Sequence, residues 1–278
     1  MKKVFILIVV GIVLIIGKGF CIDVEIMMPA LERAKEGITA VFSSIDKDLL
    51  RVAKELSSVD LKKDAARQIL KELCNNHKYL IDCAIVDISG KMIVIEPEGQ
   101  RGFEGSDISN QRHIATLLNY KKPVFSDVFH SVEGADVTDF EYPIFSDKKE
   151  FLGAVSMLVK QEALSADVIV PIVYDIPCKI WIMQKDGLII YDPDPNQIGR
   201  NLFSDELFRP FQDLVSFSRT VALTKNGAGS YDFYAKGLDD KTLVKKYAAW
   251  DTVSLYGTEW RIIVMEIEKQ APPAKETK

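Results

Sequence analysis

From Pro29 onward, apolar residues return at steps of three and four: Leu31, Ala34, Ile38, Val41, Phe42, Ile45, Leu49, Val52 and Leu56. That spacing lines one face of a helix. A helix from about Pro29 to Leu56 is roughly 40 Å long at 1.5 Å per residue, more than the width of one small domain, so it is expected to run beside more than one. Ser57-Ser58 interrupts the stripe, and Asp60 is placed to cap a second helix that carries Leu61, Ala65, Ile69 and Leu73 on one face.

From Tyr79 the pattern changes to short β-branched runs with turn residues between them. Ala84 to Ile95 reads as a strand, a tight turn at Gly90 and a second strand, and Ile180 to Tyr191 repeats the arrangement around Gly187. Each copy leads into acidic, proline-containing residues and then a helical stretch, Ile108 to Leu118 in the first and Ser204 to Phe217 in the second. Further strands close each half: Val124 to Phe129, Phe140 to Phe145 and Leu152 to Val159, then Arg219 to Leu223, Gly229 to Lys236, Ala248 to Leu255 and Trp260 to Glu266. Identity between the halves is slight, so the repeat rests on element order. It predicts an α+β chain, with a long N-terminal helix beside two tandem domains built on antiparallel sheets. The expected divisions are a helical segment 22–78, a first domain 79–162, a second domain 163–268 and a disordered tail 269–278.

Met1-Lys2-Lys3 followed by the apolar run Val4 to Ile16 has the form of an export signal over 1–21. The run is short for a bilayer-spanning helix, which needs about 20 residues, so a cleaved signal is favoured over a retained anchor. Cys21 adds lipidation as a third option, although Lys18-Gly19-Phe20 suits it poorly. All three versions place the rest of the chain outside the cytoplasm, secreted or tethered at the N-terminus.

The net charge of -5 changes the picture by removing nucleic acid from the expected partners, because phosphate neutralisation needs clustered Lys and Arg. Hydrolytic chemistry finds no G-x-S-x-G elbow and no H-E-x-x-H pair. Gly227-Ala228-Gly229-Ser230 lacks the lysine of a phosphate loop and reads as a hairpin turn. Asp192-x-Asp194-x-Asn196 begins like a calcium loop, but Gln197 and Phe203 stand where the loop needs Gly and Glu, so an extended turn is expected. A metal site would require His113, His130 and a carboxylate such as Asp127 or Glu133 to converge, which their spacing does not indicate. No metal, cofactor or enzymatic activity is therefore expected. With four cysteines and no CxxC there is no disulfide scaffold; Cys74 and Cys83 are open to a bridge or to separate buried thiols.

Gly105-Ser106-Asp107-Ile108-Ser109-Asn110-Gln111-Arg112, Lys122-Pro123-Val124-Phe125-Ser126 and Tyr142-Pro143-Ile144-Phe145 occur in the first half. Lys185-Asp186-Gly187, Asp192-Pro193-Asp194-Pro195, Ile198-Gly199-Arg200-Asn201-Leu202-Phe203 and Gly257-Thr258-Glu259-Trp260 follow in the second. In this order and spacing the chain resembles the double Cache sensor family, from Asp23 to Lys269. The resemblance implies two PAS-like domains outside the membrane, with a small-molecule ligand in the membrane-distal first half. It also implies that Arg112 points into that pocket, where its planar fork suits a carboxylate. Phe125, Asp127 and Tyr142 fall at the family's pocket-wall positions, and His113 joins this ligand-binding set. His113-Ile114 replaces the aromatics that follow the arginine in amino-acid-binding relatives, and Ser156-Met157 stands where their ammonium-holding Asp falls. A small organic acid is therefore the expected ligand. With no output domain of its own, such a sensor would pass ligand occupancy to a membrane receptor or kinase, and a homodimer through the N-terminal helix is open to it. The competing expectation is an assembly module with a protein-binding surface and no ligand.

Overall fold

The computed structural model describes residues 24–268; the export segment and the tail expected from the sequence lie outside the described residues. Helix α1 (Val24–Leu56) buries Leu31, Ala34, Ile38, Phe42, Ile45, Leu49, Val52 and Leu56, the stripe read from the sequence. It starts one turn before Pro29, which is tolerated because the carbonyl that the proline leaves unpaired, that of Glu25, belongs to the exposed first turn. Helix α2 (Asp64–Asn75) is preceded by Lys63 as its N-cap, and Asp60 instead accepts a bond from the Lys62 amide in the turn before it.

The first sheet runs β2 (Met92–Glu96), β1 (Leu80–Asp87), β6 (Phe151–Val159), β5 (Asp136–Phe145) and β3 (Val124–Phe125), with β4 (Phe129–His130) also pairing β5. The second runs β8 (Ile189–Tyr191), β7 (Lys179–Gln184), β11 (Thr258–Ile267), β10 (Leu243–Leu255) and β9 (Gly227–Tyr234). All pairs are antiparallel, and the two strand orders are the same. The two hairpin glycines also match: Gly90 has φ 88° and Gly187 φ 92°, a left-handed conformation that other residues adopt only under strain.

One face of both sheets packs on α1 in a shared core that includes Ile85, Phe140, Val155 and Met157 from the first sheet and Ile180, Ile182, Ile262 and Val264 from the second. Phe42 joins the halves, its ring 4.9 Å from Phe125 and 5.0 Å from Trp260. Helix α4 (Gln161–Val173) links the sheets, and the expected division between 162 and 163 falls in its first turn. The opposite face of the first sheet is covered by α3 (Arg112–Tyr120), and that of the second by α5 (Gln212–Leu223).

Two expectations need correction. Residues 219–223 close α5 rather than forming a strand, because buried Arg261 donates to the carbonyls of Val221 and Thr224 at 3.0 Å and holds the helix end. Residues 227–230 are the start of β9 rather than a turn, and their glycines serve packing: a Cβ on Gly227 would lie 2.4 Å from the Trp250 ring. Cys74 and Cys83 are not bridged; the Cys74 thiol donates to the Glu96 carbonyl at 3.1 Å.

Candidate functional site

The approach of α3 to the first sheet is set by the Gly105-to-Ile108 segment. Ile108 donates to the Gly90 carbonyl at 2.9 Å and Gly105 to that of Met92 at 2.7 Å, so the chain is tied to the β1–β2 turn before the helix begins. The second half repeats the tie, with Leu202 donating to Gly187 at 2.9 Å. Ile114 and Leu117 then seat α3 on Ala84, Val86 and Ala154, and His113, its second residue, faces the sheet.

Beneath α3 the sheet carries carboxylates. Strand β5 alternates, with Phe140 and Tyr142 toward α1 and Asp139 and Glu141 on the other face, beside Asp82 of β1 and Ser156 of β6. Glu141 is 1% exposed and His113 7%. The Ser156 hydroxyl reaches both Asp139 carboxylate oxygens, at 2.7 and 2.8 Å. His113 Nε2 lies 3.7 Å from Asp139 Oδ2 and 3.5 Å from Glu141 Oε1, beyond hydrogen-bonding distance. Among the described residues Nε2 and both Glu141 oxygens have no hydrogen-bond partner. Burial pushes Asp139 up to about 7 and Glu141 well above the carboxylate range. Burial, with Glu133 and Asp139 nearby, pushes Asp82 to about 9, and burial alone pulls His113 down to about 4. A cavity of about 10 Å³, lined by Asp82, Asp139, Ser156, Phe129 and Glu133 among others, adjoins the cluster. That is room for about one water.

The residues expected from the sequence are divided by this geometry. Arg112 is 94% exposed, with Nη1 4.0 Å from Asp127 Oδ2. The two sit in an open cleft of about 700 Å³ between the halves, and burial raises Asp127 above the ordinary carboxylate value. Phe125 borders that cleft, but its ring is 2% exposed and stacks on Phe140 at 4.3 Å in the α1 core. Tyr142 packs on the α1 side, the opposite face of β5 from Asp139 and Glu141. His113 alone of the five enters the buried cluster. His130 is elsewhere, paired with Asp136 at 2.9 Å on the surface. Sequence reasoning missed Asp82, Asp139 and Glu141. Their signal was acid residues inside strands at alternate positions, on the face opposite the α1-packing aromatics.

Residues 40–161 match the family model described as "HK/GC/Chemotaxis protein-like, sensor domain". No curated protein sequence matches the chain. Among solved structures, an extracellular ligand-binding receptor from Desulfohalobium retbaense DSM5692 superposes with a TM-score of 0.73 at 28% identity, over 88% of this chain and 41% of that one. The chain thus spans about two fifths of that receptor. The ligand-binding domain of the Pseudomonas aeruginosa PAO1 chemoreceptor PctC, solved with GABA, gives 0.58 at 13% identity, over 86% of this chain and 96% of that one. The periplasmic sensory domain of the Campylobacter jejuni chemoreceptor Tlp1 gives 0.55 at 16%, over 87% and 94%. At those identities the last two establish the fold alone. Among the described residues, no helix is long and apolar enough to cross a membrane. Residues 24–268 thus adopt a tandem PAS-like fold, within which 40–161 match the sensor-domain model, and the chain is similar to the extracellular ligand-binding receptor from Desulfohalobium retbaense.

Proposed function

We propose that the chain is an extracytoplasmic, non-enzymatic sensor module whose first half takes up a small, positively charged ligand beneath α3 and passes its occupancy to a membrane signalling partner. In this reading 79–162 is the membrane-distal domain, 163–268 the proximal one, and the receptor or kinase partner supplies the output. The observation that carries it is the buried acid cluster Asp82, Asp139 and Glu141, in which both Glu141 oxygens and Asp82 Oδ2 lack a hydrogen-bond partner. Burying such oxygens unpaired costs stability, so a sequence that keeps them is explained by something that neutralises them. The PctC domain is solved with GABA, a molecule with both an amine and a carboxylate, in keeping with a small charged ligand in such a pocket. Arg112 and Asp127 at the cleft rim are then contacts for the ligand's outer end. A homodimer would have to use the outer face of α1, because the stripe from Leu31 to Leu56 is already buried.

The test is thermal unfolding of the purified chain against separate panels of amines, amino acids, metal cations and organic acids. At 100 times its dissociation constant a ligand adds about 2.7 kcal/mol. The expected result is a rise with members that carry positive charge, lost in Glu141→Gln. A response confined to organic acids would overturn the charge argument. The small free volume favours one other reading, an assembly module without a ligand, and silence from every panel would support it.

A further inference from the structure

The acid cluster contains a nitrogen donor that a purely cationic organic ligand does not require. His113 is directed at Asp139 and Glu141, yet stands too far from either to hydrogen-bond. The three residues each offer one donor atom, all within 4.8 Å of one another and all buried. Two donors that each bind a zinc-sized ion at about 2.1 Å, at tetrahedral angles, are themselves about 3.4 Å apart. The separations of 3.5 and 3.7 Å from His113 Nε2 to the two carboxylates match this with little movement.

We propose that His113 Nε2, Asp139 and Glu141 bind a divalent transition-metal ion of the zinc, cobalt or nickel class. This rests on the reading of the distal pocket as the ligand site and deepens it by naming the ligand class. One imidazole and two carboxylates form a mixed nitrogen and oxygen set of the kind these ions take, whereas magnesium and calcium prefer oxygen alone. Two ionised carboxylates balance the charge of the ion, which answers the missing partners of both Glu141 oxygens. Ser156, donating to both Asp139 oxygens, holds that ligand in orientation from behind. The Phe129 ring, 4.2 Å from that of His113, fixes the imidazole plane and covers the site. The adjoining cavity of about 10 Å³ borders Asp139 and Ser156 and has room for about one water, too little for an amino acid without rearrangement.

The experiment strips the full chain with EDTA and titrates it with zinc, cobalt and nickel chlorides, with magnesium chloride as the comparison, by calorimetry and thermal unfolding. The expected result is one ion per chain and a midpoint raised by about 5–10 °C at 100 times the dissociation constant, without a response to magnesium. His113→Ala and Glu141→Gln should abolish it, Ser156→Ala should weaken it about 10- to 100-fold, and His130→Ala should leave it unchanged. An unfolding midpoint of metal-free Glu141→Gln at or above that of the parent shows that lost binding is not lost folding. Binding that survives His113→Ala, or is lost with His130→Ala, overturns the assignment. A shift with amines but with none of the metals overturns it too, while leaving the positively charged pocket standing. Silence from both removes the metal and the pocket reading together.

Discussion

The two sheets share a strand order and can be laid over each other by their hairpin turns. Placing Gly90 on Gly187 sets Ala84 against Trp181, and the pairing registers then set Ser156 against Ile263 and Glu141 against Trp250. On the next row Asp82, Leu158 and Asp139 stand where the second sheet has Lys179, Met265 and Ala248. Under α5 these positions, Lys179 apart, join Phe208, Phe217, Tyr231 and Phe233 in an aromatic core. Under α3 they form the acid cluster. One scaffold is thus finished in two ways, with large apolar and aromatic side chains beneath α5 and with acid side chains beneath α3. The difference shows where the halves diverge on one scaffold: Glu141 and Ser156 stand beneath α3 where Trp250 and Ile263 fill the space beneath α5.

The largest expected effect lies in the packed half. Trp250→Ala should lower the urea-unfolding free energy by about 3–5 kcal/mol, as truncating a buried aromatic generally does. A loss near zero would mean that the proximal face is not the stabilising one. Converting the first sheet to the type of the second with Asp139→Ala and Glu141→Leu should instead raise stability by about 1–4 kcal/mol in the absence of ligand, the range for replacing buried ionisable groups by packed apolar groups, and remove any ligand response. Destabilisation by that pair would make the cluster structural and break the comparison.

The second half has buried charged residues of its own, among them Lys246 and Arg261, and Lys246 can be set against the cluster. Burial pushes the Lys246 amine down to about 8, opposed by Asp192 nearby. A lysine whose folded pKa is below its unfolded value costs stability wherever it is charged, so the cost is full below about pH 8 and lifts as pH rises through 8 toward the ordinary 10.5. Lys246→Met should therefore be more stable than the parent by about 1–3 kcal/mol at pH 7 and lose that lead toward pH 10. A lead that stays constant across the range would contradict the assignment of charge. Gly90→Ala and Gly187→Ala should each cost about 1–2 kcal/mol, since both impose a left-handed backbone on a residue with a Cβ. Unequal losses would show that the two turns are not equivalent. Smallest of all, Arg112→Ala should change stability by less than about 0.5 kcal/mol, because the side chain is solvated and its contact with Asp127 is long. A larger loss in a chemical melt would return Arg112 to a structural role.

Much of the architecture was legible because it depends on local periodicity. The α1 stripe, the two Gly-centred hairpins and the late strands each follow from steps of three and four or of two along the chain. Where the reading failed, a distant partner had decided the outcome. Residues 161–173 carry a run of β-branched residues without a helical stripe, and the sequence pattern assigned them no element; they form α4, packed against α1 and the second sheet. Arg261 holds residues 219–223 helical from 38 to 42 positions away, since 261 - 223 = 38 and 261 - 219 = 42. Gly227 reads as a turn former until the Trp250 ring is seen lying against it.

The site was less legible than the fold. Arg112, Asp127, Phe125 and Tyr142 were expected to converge, and each is a residue type suited to a pocket. Which face of a strand or helix points inward is fixed by what covers the sheet, however, and that is not a local property. Sequence alone determined that the chain has a long helix and two successive antiparallel units with matched turns, because backbone preference and hydrophobic period act over a few residues. Only the tertiary structure decided that Phe125 belongs to the α1 core, that Arg112 faces solvent, and that His113 meets Asp139 and Glu141. Those outcomes depend on the register between β1, β6 and β5 and on the seating of α3. Residues up to 74 positions apart are brought together there, since 156 - 82 = 74, and no short-range pattern records such a meeting.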